Sequence, residues 1–113
     1  MGCVFCDIVA GRVPADIRYR DEEVIAFPDV NPKAPKHLLI LPVAHIPSVA
    51  ELGAEQSHLL ERLVLVAREL AGREGIADTG YRLTINNGGD AGQMVPHLHL
   101  HLLGGHRLSN QLC

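Results

Sequence analysis

Apolar positions fall into short runs near the start of the chain, one long stretch spaced by three and four in the middle, and an alternating run towards the end. Cys6 to Ala10 predicts a short helix stopped by Gly11, a residue suited to closing helices, with Pro14 beyond it. Ile17 to Arg20 and Val24 to Phe27 read as short strands around the polar turn Asp21-Glu22-Glu23, and Asn31-Pro32-Lys33-Ala34-Pro35 is a loop by its two prolines. His37-Leu38-Leu39-Ile40-Leu41, ended by Pro42, is nearly continuous in its apolarity, which predicts a central strand covered on both faces.

From Ala54 to Glu74, residues Leu59, Leu60, Leu63, Val64, Ala67, Leu70 and Ala71 form the buried stripe of one long helix. Leu65 and Val66 are read as lying outside that stripe and widening the apolar face, for a dimer surface or for deeper burial. After Asp78-Thr79-Gly80 a strand runs from Tyr81 to Asn86, with Arg82 and Thr84 alternating against Leu83 and Ile85. A glycine-rich loop, Asn87 to Gly92, leads to a last strand, His97 to Leu103, closed by Gly104-Gly105. The fold class is therefore α+β: an antiparallel meander sheet with one long helix and a short N-terminal helix.

The length of 113 residues suits a single domain over 1–113, and 47% apolar with 20% charged residues is an ordinary globular balance. No apolar run approaches the roughly 18 residues that cross a bilayer, so no membrane partner is expected. The start, Met1-Gly2-Cys3-Val4-Phe5-Cys6-Asp7, lacks the basic and apolar parts of an export signal, and the expected location is cytoplasmic. Ten Lys and Arg against 13 Asp and Glu leave a net charge of −3, with the basic residues scattered. That disfavours nucleic acid while allowing a small anionic ligand held by local groups. Seven histidines are present, four of them between His97 and His106. Three cysteines in such a chain do not suggest a disulfide framework, so Cys3 and Cys6 point to metal or to free thiols.

The sharpest feature is His97-Leu98-His99-Leu100-His101-Leu102-Leu103. On a strand the three histidines share one face while Leu98, Leu100 and Leu102 enter the core. Such a row allows two chemistries. Neighbours about 6.6 Å apart could share a metal ion, although the ends, about 13 Å apart, could not meet one tetrahedral centre. Alternatively the middle imidazole is a nucleophile or base, attacking phosphorus through Nε2 while Nδ1–H is held by an acceptor. Gly88, Gly89 and Gly92 would let backbone N–H groups approach an anion closely. Cys3-x-x-Cys6 is the spacing of a zinc half-site or a redox dithiol.

Taken together, these residues resemble the histidine-triad (HIT) superfamily, and within it the Hint branch of nucleotide-binding proteins and purine nucleoside phosphoramidases. The resemblance runs through Phe5-Cys6-Asp7-Ile8, Val13-Pro14-Ala15, Ala26-Phe27-Pro28-Asp29-Val30-Asn31-Pro32, His37 to Pro42, Gly80-Tyr81-Arg82-Leu83, and Asn86 to Gly105. It implies that His99 is the nucleophile, that His101 contacts the phosphate, and that His97 and His45 orient His99. It further implies that Asn86 and the backbone of Gln93 and Met94 hold the phosphate, that Asp29 binds the ribose hydroxyls, and that Phe5, Ile8, Phe27 and Val30 form a purine slot. The ligand would be a purine nucleotide of the AMP or GMP type and the activity P–N bond hydrolysis without a catalytic metal. Related alternatives are a dinucleoside polyphosphate hydrolase and a binding module with vestigial catalysis.

Many histidine-triad relatives with this cysteine pair complete a structural zinc site, and the resemblance implies one here with Cys3, Cys6, His45 and His97, the alternative being two reduced, partly buried cysteines. A homodimer is implied, with the long helix and a central strand at its interface. His37 and His58 read as surface or strand-edge residues, and His106 as one that reaches the site mouth. The chain departs from the Hint pattern at Met94, where a hydroxyl is usual, at Pro96, where an aromatic is usual, and in its tail from His106 to Cys113.

Overall fold

The computed structural model describes residues 2–110; Met1 and the last residues of the tail, 111–113, lie outside them. Helix α1 (Val4–Val9) is capped by Cys3, whose sulfur accepts the Cys6 amide, so the helix begins before the position that the apolar run indicated. Strands β1 (Tyr19–Arg20), β2 (Val24–Pro28) and β3 (Lys36–Pro42) follow, then α2 (His58–Arg73), β4 (Tyr81–Ile85) and β5 (Leu100–Gly104). All pair antiparallel in the order β1-β2-β3-β5-β4. The meander thus runs through the first three strands. The connection through α2 then carries the chain to the far edge, and β5 returns to fill the gap.

Strand alternation divides the sheet into two apolar faces. Val24, Ala26, Leu38, Ile40, Leu100 and Leu102 meet Leu59, Leu63, Val66, Ala67 and Leu70 of α2. On the other face Ile25, Phe27, Leu39 and Leu41 pack with Cys3 and Phe5 of the N-terminal segment. Strand β3 is covered on both sides, as its continuous apolar run predicts.

Several boundaries depart from the sequence reading for nameable reasons. Residues 54–56 form a separate 3₁₀ turn, because Gln56 folds its side chain back to accept the Gly53 amide at 3.0 Å, and α2 starts only at His58. Strand β5 starts at Leu100 instead of His97. Continuing the β3–β5 register would set Leu98 against Pro42, which has no N–H to give, and Leu98 donates to the Ile46 carbonyl at 2.6 Å instead. Val66, assigned outside the helix stripe, is 2% exposed and belongs to the core, whereas Val64 and Leu65 are 46% and 37% exposed. The central strand expected at a dimer interface is paired on both sides, whereas among the described strands β4 lies at one end of the sheet.

Candidate active site

From His97 onward the alternation holds. Leu98, Leu100 and Leu102 enter the helix-side core, and the histidines lie against the Phe5 face. A different partner fixes each ring. His97 Nε2 lies 2.8 Å from the Pro42 carbonyl, so that nitrogen carries the proton and Nδ1 keeps its lone pair. His99 is the reverse: its Nδ1 lies 2.7 Å from the His97 carbonyl, which leaves the lone pair on Nε2. The Lys33 amide donates to His37 Nδ1 at 3.0 Å, so His37 Nε2–H donates to His101 Nδ1 at 2.9 Å. His101 therefore holds its own proton on Nε2. Three neighbouring imidazoles thus present a metal-type lone pair, a nucleophilic lone pair and a donor N–H.

His99 and His101 open on a cavity of about 1080 Å³, whose apolar wall includes Phe5, Ile8 and Phe27 and whose polar wall includes Asp29, Asn86 and His37. The Phe5 ring stands edge-on to His99 at 5.1 Å and to Phe27 at 5.6 Å. Asp29 Oδ1 accepts the Asn31 amide at 2.8 Å, and Oδ2 lies 3.5 Å from His37 Nε2.

Behind the row, Cys3, Cys6, His45 and His97 bring their donor atoms together. His45 Nδ1 and His97 Nδ1 are 3.3 Å apart, and sulfur–nitrogen separations are 3.2, 3.5 and 3.6 Å. A tetrahedral zinc with ordinary bond lengths requires edges of about 3.3 Å between nitrogens and about 3.6 Å between sulfur and nitrogen. The donor set fits such an ion, and the bond from His97 Nε2 to Pro42 already turns the correct nitrogen inward.

A family described as "Scavenger mRNA decapping enzyme C-term binding" matches residues 2–111. A purine nucleoside phosphoramidase of Escherichia coli (strain K12) is 45% identical over 109 residues, covering 96% of this chain and 92% of that protein. The solved structure of a HIT family hydrolase from Clostridium thermocellum superposes with a TM-score of 0.96 at 45% identity, covering 99% of this chain and 97% of that one. A HIT family hydrolase from Legionella pneumophila gives 0.94 at 41% identity, covering 97% and 98%. The chain belongs to the histidine-triad (HIT) family.

Against the HIT pattern, Phe5, Ile8, Phe27, Asp29, Asn86, Met94, His99 and His101 all border the one cavity. Val30 borders it too, but at 90% exposure it stands at the mouth, as does Met94 at 91%, and neither packs the apolar wall. Gln93 needs correction. Its amide, expected to face a phosphate, is given to Gly88 O at 3.1 Å, and its side chain accepts from Gly88 N while donating to Pro47 O and Val95 O. Gln93 buttresses the loop, whose tight path uses positive φ at Gly88 (φ +86°) and Gly92 (φ +89°), open to glycine without strain.

His37 is the residue that the sequence reading missed. It is 5% exposed, not a surface or strand-edge side chain, and it sets the tautomer of His101. The available signal was parity: His37 lies two residues before Leu39, and Leu39 faces His101 across the β3–β5 ladder. His58 stays on the surface, paired with Glu23, and exposed His106 borders the cavity.

Burial pushes His37, His97 and His101 down from the ordinary histidine value, and neighbouring His99 and His37 help take His101 to about 4. His37, His97 and His101 are therefore uncharged at pH 7. As pH falls from about 6.5 to 4, the unfolded chain takes up the proton that folded His101 refuses, so stability present above 6.5 is lost across that window. The loss from this residue should reach about 3 kcal/mol. Denaturant titrations at pH 7 and pH 4.5 should show a His101→Gln variant losing correspondingly less on acidification. Equal losses would mean that His101 titrates as a free histidine.

Proposed function

We propose that this chain is a hydrolase of purine nucleoside 5′-phosphoramidates that works through a nucleotidyl-His99 intermediate. The observation that carries the reading is the 2.7 Å contact between His99 Nδ1 and the His97 carbonyl, which places a proton on Nδ1 and keeps the Nε2 pair for attack. Nε2 bonds to phosphorus as the P–N bond breaks, and the amine departs with the bonding pair and takes a proton from water. The resulting nucleotidyl imidazolium keeps its Nδ1–H on that carbonyl dipole. Water then cleaves the P–Nε2 bond, releasing the nucleoside monophosphate and the neutral ring. His101 Nε2–H, Asn86 and the Met94 backbone would hold the phosphoryl oxygens, with His101 acting as a donor that stabilises charge. Met94 carries a thioether, so it supplies no proton to the leaving amine.

Phe5, Ile8 and Phe27 would receive the purine. Cys3, Cys6, His45 and His97 would hold a structural zinc, which completes the fold and offers no open position for substrate. The same reading includes a homodimer, through the exposed Val64 and Leu65 of α2. Among the described residues no helix is long and apolar enough to cross a membrane.

The direct test is turnover of an adenosine phosphoramidate, releasing amine and monophosphate in equal amounts. Protein quenched in alkali should carry the nucleotide in an acid-labile bond. Absence of both would overturn the reading.

Sugar selection gives an independent check. The Asp29 carboxylate can accept from both ribose hydroxyls, so Asp29→Asn, which keeps an acceptor for the Asn31 amide, should erase most of the preference for ribose over 2′-deoxyribose. A hydrogen bond to a charged group contributes roughly 1.5–3 kcal/mol, so ribonucleotide affinity should fall about ten- to a hundredfold. Equal losses for both sugars would confine Asp29 to holding its loop and His37.

A further inference from the structure

Two short routes join the cysteine pair to His99. The first is His97. Its Nδ1 is 3.5 Å from Cys3 Sγ, 3.6 Å from Cys6 Sγ and 3.3 Å from His45 Nδ1, while its carbonyl holds His99 Nδ1 at 2.7 Å. The residue is 0% exposed and its remaining ring nitrogen is tied to Pro42, so ring and carbonyl have little freedom to move separately. The second route is Phe5, which lies between the cysteines in sequence and sets its ring edge-on to His99 at 5.1 Å and to His97 at 5.9 Å.

A carboxylate attracts an imidazole N–H over a range of positions through its charge. A backbone carbonyl is a weaker, directional acceptor. It selects one tautomer and one ring plane only if its own peptide is fixed. Here the peptide belongs to a residue of the donor set, and the ring that flanks the nucleophile belongs to the helical turn that carries two more of its members.

We propose that the capped first turn of α1, Cys3 to Cys6, closed on a metal ion with His45 and His97, is the positioning device of the nucleophile, with His97 and Phe5 as the positioning residues that pass its geometry to His99. The proposal rests on the reading of His99 as nucleophile and of the tetrad as a metal site, and it assigns that site a task beyond stability. Opening the site should release the His97 carbonyl, mix the His99 tautomers and slow formation of the nucleotidyl intermediate more than it weakens binding of a nucleoside monophosphate.

The test uses the full chain labelled with ¹⁵N-histidine, as purified with zinc, after chelation, and after zinc is restored. Long-range proton–nitrogen spectra, assigned by comparison with His99→Asn, should give His99 as the Nδ1–H tautomer in the loaded protein. That signature should be lost on chelation and recovered with zinc. Phe5→Leu keeps all four donors, so it should retain zinc yet blur the same signature and slow single-turnover nucleotidylation ten- to a hundredfold, the scale of a misplaced reacting group. This variant decides the matter if chelated protein unfolds. An unchanged His99 signature and nucleotidylation rate in zinc-loaded Phe5→Leu, or protein that binds no zinc, would overturn the proposal. Because the spectra need no substrate, a signature that follows the metal without any turnover would reject the phosphoramidase reading and leave the positioning device standing.

Discussion

Replacing His99 by asparagine should give a protein that folds, binds a purine nucleoside monophosphate, and turns over its phosphoramidate about a thousandfold more slowly or worse. Removal of a catalytic nucleophile typically costs at least that much. The fold should tolerate the change because Leu98 and Leu100 on either side supply the core packing, at 1% and 2% exposure, and because an asparagine amide can still donate to the His97 carbonyl. His101→Ala should cost less, since it removes a donor to the phosphoryl group and leaves the attacking pair intact. Nucleotide trapped on wild-type protein should be absent from the His99 variant. Near-normal turnover in His99→Asn beside a dead His101→Ala would move the nucleophile to His101.

The second large effect is expected at the cysteines. Serine at both Cys3 and Cys6 should lower stability by about 3 kcal/mol or more, the range typical of losing a structural metal. For a domain of this size that is roughly a 10–20 °C fall in melting temperature. Helix α1 has six residues, too few to persist alone, and it is held by Phe5 in the second core and by the donor set. The melting temperature of the wild type should rise with added zinc and that of the variant should not. Superimposable melts for the two proteins would remove the metal from the account.

Local periodicity made much of this molecule legible. The run Leu38 to Leu41 and the spacing of Leu59, Leu63, Ala67 and Leu70 announce a covered strand and a packed helix without reference to the rest of the chain. Val66 could have been read as well: three residues after Leu63 and four before Leu70, it falls on the stripe. The histidine row was visible because its members are near neighbours in sequence. What stayed hidden depends on partners far along the chain. The start of β5 is decided by a missing N–H on Pro42. The part played by His37 depends on a register that sets Leu39 opposite His101. Gln93 was expected at the phosphate from the family resemblance, and only the folded loop reveals that its amide and side chain are already engaged.

The donor set also imposes an order on how the protein is made. Cys6 and His97 are separated by 91 positions, and His45 lies between them. At ribosomal rates of roughly 5–20 residues per second, the cysteines emerge roughly 5 to 20 seconds before the last ligand. During that interval the nascent chain carries two neighbouring thiols with no fourth partner, and β5, the strand that joins the two halves of the sheet, does not yet exist. Assembly of the site and closure of the sheet therefore become one late event. A ribosome that stalls before His97 would hold a chain whose cysteines are open to oxidants, or to any metal that two sulfurs and one imidazole can capture.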